Sequence, residues 1–341
     1  MQPRPSAPPP PPEQVRATLD RLLPPGIGQR QGWSQDITAA FAALRLQPSA
    51  PNLCAAIAVI GQESGFVADP VVPNLGRIAR QEIDARAARM HIPRLAVSAA
   101  LSLDSPDGRS WGERIERART EHELSDTFED LIARVPLGRR LLADANPVHT
   151  GGSMQVSIAW AEAHVDGYPY PIEGSIRDQV FSRRGGLFFG IRHLLDYPAD
   201  YPAMRYRFAD YNAGRYASRN AAFQNAVSRA SGIPLAFDGD LVAPDAARPG
   251  PTEVAVRALR LDFSDRQIRR MLEREGEPDF AQGRLWREVF ARADALAGKR
   301  LPRALVPRIT LQGPKITRKL TTAWFVERVD TRYRQCLARA R

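Results

Sequence analysis

The chain has 341 residues, 43% of them hydrophobic and 25% charged, and carries a formal net charge of +10. That is ordinary for a globular protein with room for one large domain, or for a domain and an appendage. No window reaches the roughly 20 uninterrupted apolar residues of a membrane span, and no basic start leads into an apolar secretory core. The positive balance makes nucleic acid a candidate partner. The arginines are dispersed among acids, however, as in GERIERARTEHELSDTFED at 112–130. There is no long basic run, zinc-finger spacing or RNA-binding aromatic signature, so an acidic polymer of another kind, or an anionic surface, fits equally well.

In chain order, MQPRPSAPPPPPEQ opens on five consecutive prolines, Pro8 to Pro12. Such a run favours extended polyproline II. Residues 1–13 read as a linker: either the stalk of a tethered protein whose targeting segment has been removed, or a disordered tail. A helix is predicted over 35–45, with Ile37, Phe41 and Leu44 on one face and Ser34 or Asp36 as cap. A second is predicted over 52–64, NLCAAIAVIGQES, capped by Asn52, with Leu53, Ile57 and Ile60 at helical spacing. Its alanines allow close packing on several sides, so it should be central. Further helices are predicted over 187–196 and 217–230, then an irregular Pro/Gly/Asp-rich connection, then helices over 252–274, 283–298 and 318–338. VPRITLQGPKIT at 306–317 reads as two short strands around Gln312, Gly313 and Pro314.

Cys54 and Cys336 are too far apart for a local metal motif. They are either one bridge, formed in an oxidising compartment, or two buried thiols. The five histidines are scattered, and no metal or cofactor is implied.

One carboxylate stands out. Glu63 ends the apolar run AVIGQESGF at 58–66. A charge there is costly unless it is paired or used. The partial negative charge of the helix C-terminus and partial burial both raise a carboxyl pKa, as a general acid working near neutrality requires. Two further motifs follow in order: TGGSMQVS at 150–157 and FADYNAGRY at 208–216. Each alone is weak.

Together these motifs resemble the soluble lytic transglycosylases. Members of that family have a goose-type-lysozyme-like fold, cleave bacterial peptidoglycan, and carry Glu-Ser at the end of a core helix, then Gly-x-Met-Gln, then Ala-Tyr-Asn-Ala-Gly. VDTRYRQCL at 329–337 is a weaker echo of the acidic-Thr-Arg element closing that domain. RRGGLFFGIRHLL and YNAGRYASRNAAFQ look like an uncharacterised bacterial lipoprotein family that embeds the same motifs in a longer chain. Two departures are clear. Roughly 60–70 extra residues, about 72–146, separate Glu63 from Met154 and should carry their own helical structure. Asp210 stands where the family usually has Ala.

The resemblance implies a mostly α, lysozyme-like core with a helical insertion and a small β element. A single domain would run over 14–341, with a C-terminal extension from about 235. It implies cleavage of the MurNAc–GlcNAc β-1,4 bond with 1,6-anhydroMurNAc formation, Glu63 acting as acid and then base. Ser64 would orient the substrate, Met154 would pack on a sugar face, and Gln155 would bond the N-acetyl group or nearby backbone. Tyr211 would hold and tune Glu63, Asn212 would fix a turn and bond substrate, and Gly152 and Gly214 would allow close backbone approach. Asp330 and His149 are supporting candidates. Asp210 is weighed as a second carboxylate, but a neighbour of a cleft-facing Tyr211 points elsewhere, which favours a surface or salt-bridge role.

Peptidoglycan strands are the implied partner, with a cell-wall protein docking on the insertion as a further one. The implied location is the periplasm, with an outer-membrane lipoprotein tether. One reading competes, a non-catalytic peptidoglycan-binding or assembly protein with a blocked cleft; a cytoplasmic nucleic-acid binder would rest on charge alone, and no nucleic-acid partner is expected.

Overall fold

The computed structural model describes residues 10–134, 146–243, 248–311 and 319–340. It is mostly helical. None of the described helices is long and apolar enough to cross a membrane. Where the sequence reading draws one domain over 14–341, the contacts divide the chain into two compact units. Of the described residues, the first unit holds those up to Ile191 together with 339–340, and the second holds those of 192–311 with 319–338.

The first unit opens with α1 (Pro12–Leu22), α2 (Arg30–Ala43) and α3 (Ala50–Glu63). Helix α1 starts inside the stretch read as linker: Pro12 is its first residue, where a missing N–H costs nothing, and Val15, Leu19 and Leu22 are buried. The linker's first nine residues lie outside the described ones. Helix α2 begins five residues before the predicted start. Ser34 and Asp36 are therefore interior rather than capping, and Asp36 forms a buried ion pair with Arg183 at 2.6 Å. Helix α3 is capped by Ser49, whose Oγ accepts from the Asn52 N–H, rather than by Asn52. Leu53 to Ile60 are all buried, as expected of a central helix.

The insertion is helical: α4 (Leu75–Arg89), α5 (Arg94–Leu101), α6 (Trp111–Arg117) and α7 (Glu121–Arg134). Ser110 and Glu113 close a reciprocal capping box on α6. Gly76 lets α4 approach the Glu116 carbonyl so closely that a Cβ would lie 2.3 Å from its oxygen. A two-residue hairpin, β1 (Thr150–Gly151) and β2 (Val156–Ser157), then leads into α8 (Ile158–Glu162), α9 (Ile176–Phe181) and α10 (Arg183–Leu195). The division between the units falls inside α10.

The second unit contains α11 (Arg205–Ala213), α12 (Ala217–Ser231), α13 (Pro251–Ala258), α14 (Asp265–Leu272), α15 (Arg284–Ala297) and α16 (Thr322–Arg339). Its core is α12 against α15, where Phe223 stacks on Trp286 at 5.6 Å and meets Phe280 edge-on. The single helix predicted over 252–274 is two, because Arg260 takes a left-handed φ of 51° and Ser264 caps a new start. Strands β3 (Thr310–Leu311) and β4 (Leu320–Thr321) pair antiparallel; β3 falls in the first predicted strand, the turn at 312–314 and the second predicted strand lie outside the described residues, and β4 occupies the stretch predicted as the start of the last helix.

Candidate active site

Glu63 is the last residue of α3, and the next three residues explain why the helix stops there. The Ile60 carbonyl accepts from the N–H of Ser64 (3.0 Å) and Gly65 (3.1 Å) and from Ser64 Oγ (3.2 Å). Gly65 then turns left-handed at φ 61° in open space, so glycine serves its conformation rather than its size. Phe66, also left-handed, drops its ring edge-on against Trp33 at 5.4 Å. The chain is thus anchored on both sides of Glu63. The Glu63 side chain is half-buried. Among the described residues no cation or donor bonds its carboxyl, and burial pushes its pKa from 4.5 up to about 7. Ser64 spends its hydroxyl proton on Ile60, which leaves only lone pairs for a substrate.

The Gly-Gly-Ser-Met-Gln loop is built on the glycines of α10. A Cβ on Gly152 would lie 2.0 Å from the Val180 carbonyl oxygen, and Gly152 is left-handed at φ 73°. Gly186 approaches Ser153, and Gly190 makes room for Met154. Gly152→Ala is therefore expected to cost at least about 2 kcal/mol in urea denaturation. Met154 has no accessible surface, so its side chain is core under Gly190 and not a sugar-facing platform.

Gln155 takes a left-handed φ of 51°. Its Nε2 donates to Glu121 Oε2 at 2.8 Å, and its Oε1 accepts from Thr150 Oγ1 at 3.3 Å. The side chain expected to reach substrate is thus held at both ends by the protein, by a buried carboxylate from the insertion. Glu121→Ala should cost about 1–3 kcal/mol, because it leaves the half-buried Gln155 amide short of an acceptor. Glu121→Gln, which keeps one acceptor oxygen, should lose less in the same denaturation assay.

His149 is exposed and lines two grooves of about 290 and 190 Å³ with Glu82 and Pro147. Tyr211, Asn212, Gly214 and Asp330 belong to the second unit. Tyr211 meets the His193 ring edge-on at 5.1 Å. Asn212 Oδ1 accepts from Thr322 Oγ1 at 2.9 Å, which ties the end of α11 to the start of α16. Gly214 ends α11 at φ 106°. Asp330 pairs with Arg334 one turn on, at 2.6 Å. Asp210 is corrected: it is neither surface nor salt-bridged but buried, and accepts from Tyr197 and Tyr201 hydroxyls and the Tyr216 and Ser218 N–H groups. Neither cysteine is free; Cys54 and Cys336 are both disulfide-bonded.

A family model described as "Protein of unknown function (DUF1615)" matches residues 26–339. The chain belongs to the DUF1615 family. It is similar to "Uncharacterized protein YaiW" of Escherichia coli (strain K12), with 52% identity over 325 residues, which is 95% of this chain and 89% of that protein. No solved structure matches it.

In this DUF1615 chain, sequence reasoning missed Glu121, which sits in a charged run that reads as solvated surface. It also missed the grouping of His122, Asp126 and Asp178, three residues that could together hold a metal ion. The one signal for the latter was His122 and Asp126 at i,i+4.

Proposed function

We propose that the protein is a peptidoglycan lytic transglycosylase with a goose-type-lysozyme-like core. Glu63 protonates the glycosidic oxygen between MurNAc and GlcNAc. The resulting carboxylate then takes the proton of the MurNAc C6 hydroxyl as that oxygen closes the 1,6-anhydro ring. The substrate supplies its own nucleophile, so one carboxylate suffices where hydrolases need two. The observation that carries this reading is Glu63 itself, a helix-end carboxyl without a partner among the described residues, held by burial at a pKa of about 7. The disulfide-bonded cysteines support a periplasmic location, where peptidoglycan lies and disulfides persist. In this reading a lipid tether at the outer membrane places the protein near its substrate.

The test is digestion of purified peptidoglycan, with soluble products identified by mass spectrometry. Anhydro-muropeptides are expected. Hydrated reducing ends would show hydrolysis and replace the proposal. Binding without products would favour a non-catalytic cell-wall protein.

A further inference from the structure

We propose that His122, Asp126 and Asp178 bind one divalent cation of the zinc or manganese type, clamping the insertion to the segment that follows the Gly-Gly-Ser-Met-Gln loop. His122 and Asp126 lie one turn apart on α7, and Asp178 comes from α9. One ligand atom from each lies within 4.8 Å of the others, and His122 Nε2 is 3.5 Å from Asp126 Oδ2. An imidazole nitrogen with two carboxylates is a donor set for borderline metals, and the half-exposed Asp126 leaves room for water to complete the coordination.

Two of the ligands are already oriented. The His122 ring stacks on Phe181 at 4.8 Å with 14° between planes. Asp178 Oδ2 accepts from the Ser175 N–H (2.7 Å) and Oγ (2.9 Å), which fixes the carboxylate. Such second contacts are what hold metal ligands in place.

The charge balance at the cluster points the same way. Asp126 stands among the like charges of Asp178, Asp130 and Asp69, with His122 beside it. Arg114, the nearby cation of α6, pairs with Asp130 at 2.7 Å. Asp69 keeps a buried Oδ1 with no hydrogen-bond partner. A bound dication would neutralise this excess. Phe181 also packs against Gly151, so an ion joining α7 to α9 braces the hairpin that carries Gln155. The site is independent of the transglycosylase reading.

The experiment uses the full chain, without a histidine tag and stripped with chelator, titrated calorimetrically with ZnCl2 and MnCl2 and melted with and without each. One equivalent should bind with a rise in Tm. His122→Gln and Asp126→Asn should each weaken binding at least about tenfold and abolish the rise. The metal-free Asp126→Asn protein should melt no lower than wild type, since it loses a like-charge repulsion and, among the described residues, no partnered contact but His122. Absence of saturable binding, or wild-type affinity in both variants, would overturn the proposal. Displacement of Zn2+ by equimolar Ca2+ or Mg2+ would also overturn it, since that marks a plain anionic patch without imidazole ligation.

Discussion

Glu63→Gln is expected to abolish release of anhydro-muropeptides, a loss on the order of 10²–10⁴-fold in rate if general acid catalysis alone is removed. Glutamine keeps the shape of the side chain but cannot donate a proton to a leaving oxygen and take one back. In the wild type the rate should depend on the protonated fraction, so kcat/KM should hold below pH 7 and fall above it, following the raised carboxyl at about 7.

The same carboxyl makes a prediction about stability that needs no substrate. Its pKa is about 7 in the folded chain against 4.5 as its ordinary value. Below pH 4.5 it is protonated in both states and costs nothing. As pH rises through that window the unfolded chain ionises first, so the folded state is progressively destabilised, and above pH 7 the penalty is constant. Its ceiling is about 3 kcal/mol, and it is less for a side chain still partly accessible. Glu63→Gln lacks this term. Urea denaturation should show variant and wild type alike at pH 4, and the variant more stable at pH 8. Equal stability at both pH values would show the carboxyl to be well solvated, and the acid role would lose its physical basis. A residue whose removal stabilises the fold while ending turnover is retained for chemistry rather than for structure.

Much of the helical content was legible because it rests on local signals. Leu53, Ile57 and Ile60 announce α3, and Gly65 announces its stop. The strand at 310–311 was visible in the alternation before a Gly-Pro turn, whereas its partner at 320–321 was read as helix. What local pattern could not give was anything set by residues distant in sequence. Met154 resembles a ligand-facing residue by motif, yet Gly190, 36 positions later, receives it into the core. Gln155 reads as a free amide until Glu121, 34 positions earlier, is found holding it. The break between α13 and α14 was missed for the opposite reason: Arg260 adopts a left-handed conformation that no glycine advertises. Glu63 was found because its oddity, a carboxylate ending an apolar helix, is itself local.

Asp210 carries the largest expected effect on stability. Its Oδ2 accepts from Tyr201 OH at 2.6 Å, Tyr197 OH at 3.0 Å and Tyr216 N at 3.0 Å, and its Oδ1 from Ser218 N at 2.7 Å. The two N–H groups are orphan donors at the start of α12, so the carboxylate does the work of a cap while also gathering two tyrosines. Burial pushes its pKa up, and the donors around it pull the other way. Removing it as Asp210→Ala would strand buried donors that cost about 1–3 kcal/mol each when unpaired. Some of these would relax together, and a net loss of about 3–5 kcal/mol in urea denaturation is expected. Asp210→Asn should cost most of the same, because its amide would present N–H groups to hydroxyl and backbone donors. If either variant lost less than about 1 kcal/mol, the hub would be a consequence of the fold and not one of its supports. If the alanine variant folded fully yet released no products, Asp210 would return as a candidate second carboxylate.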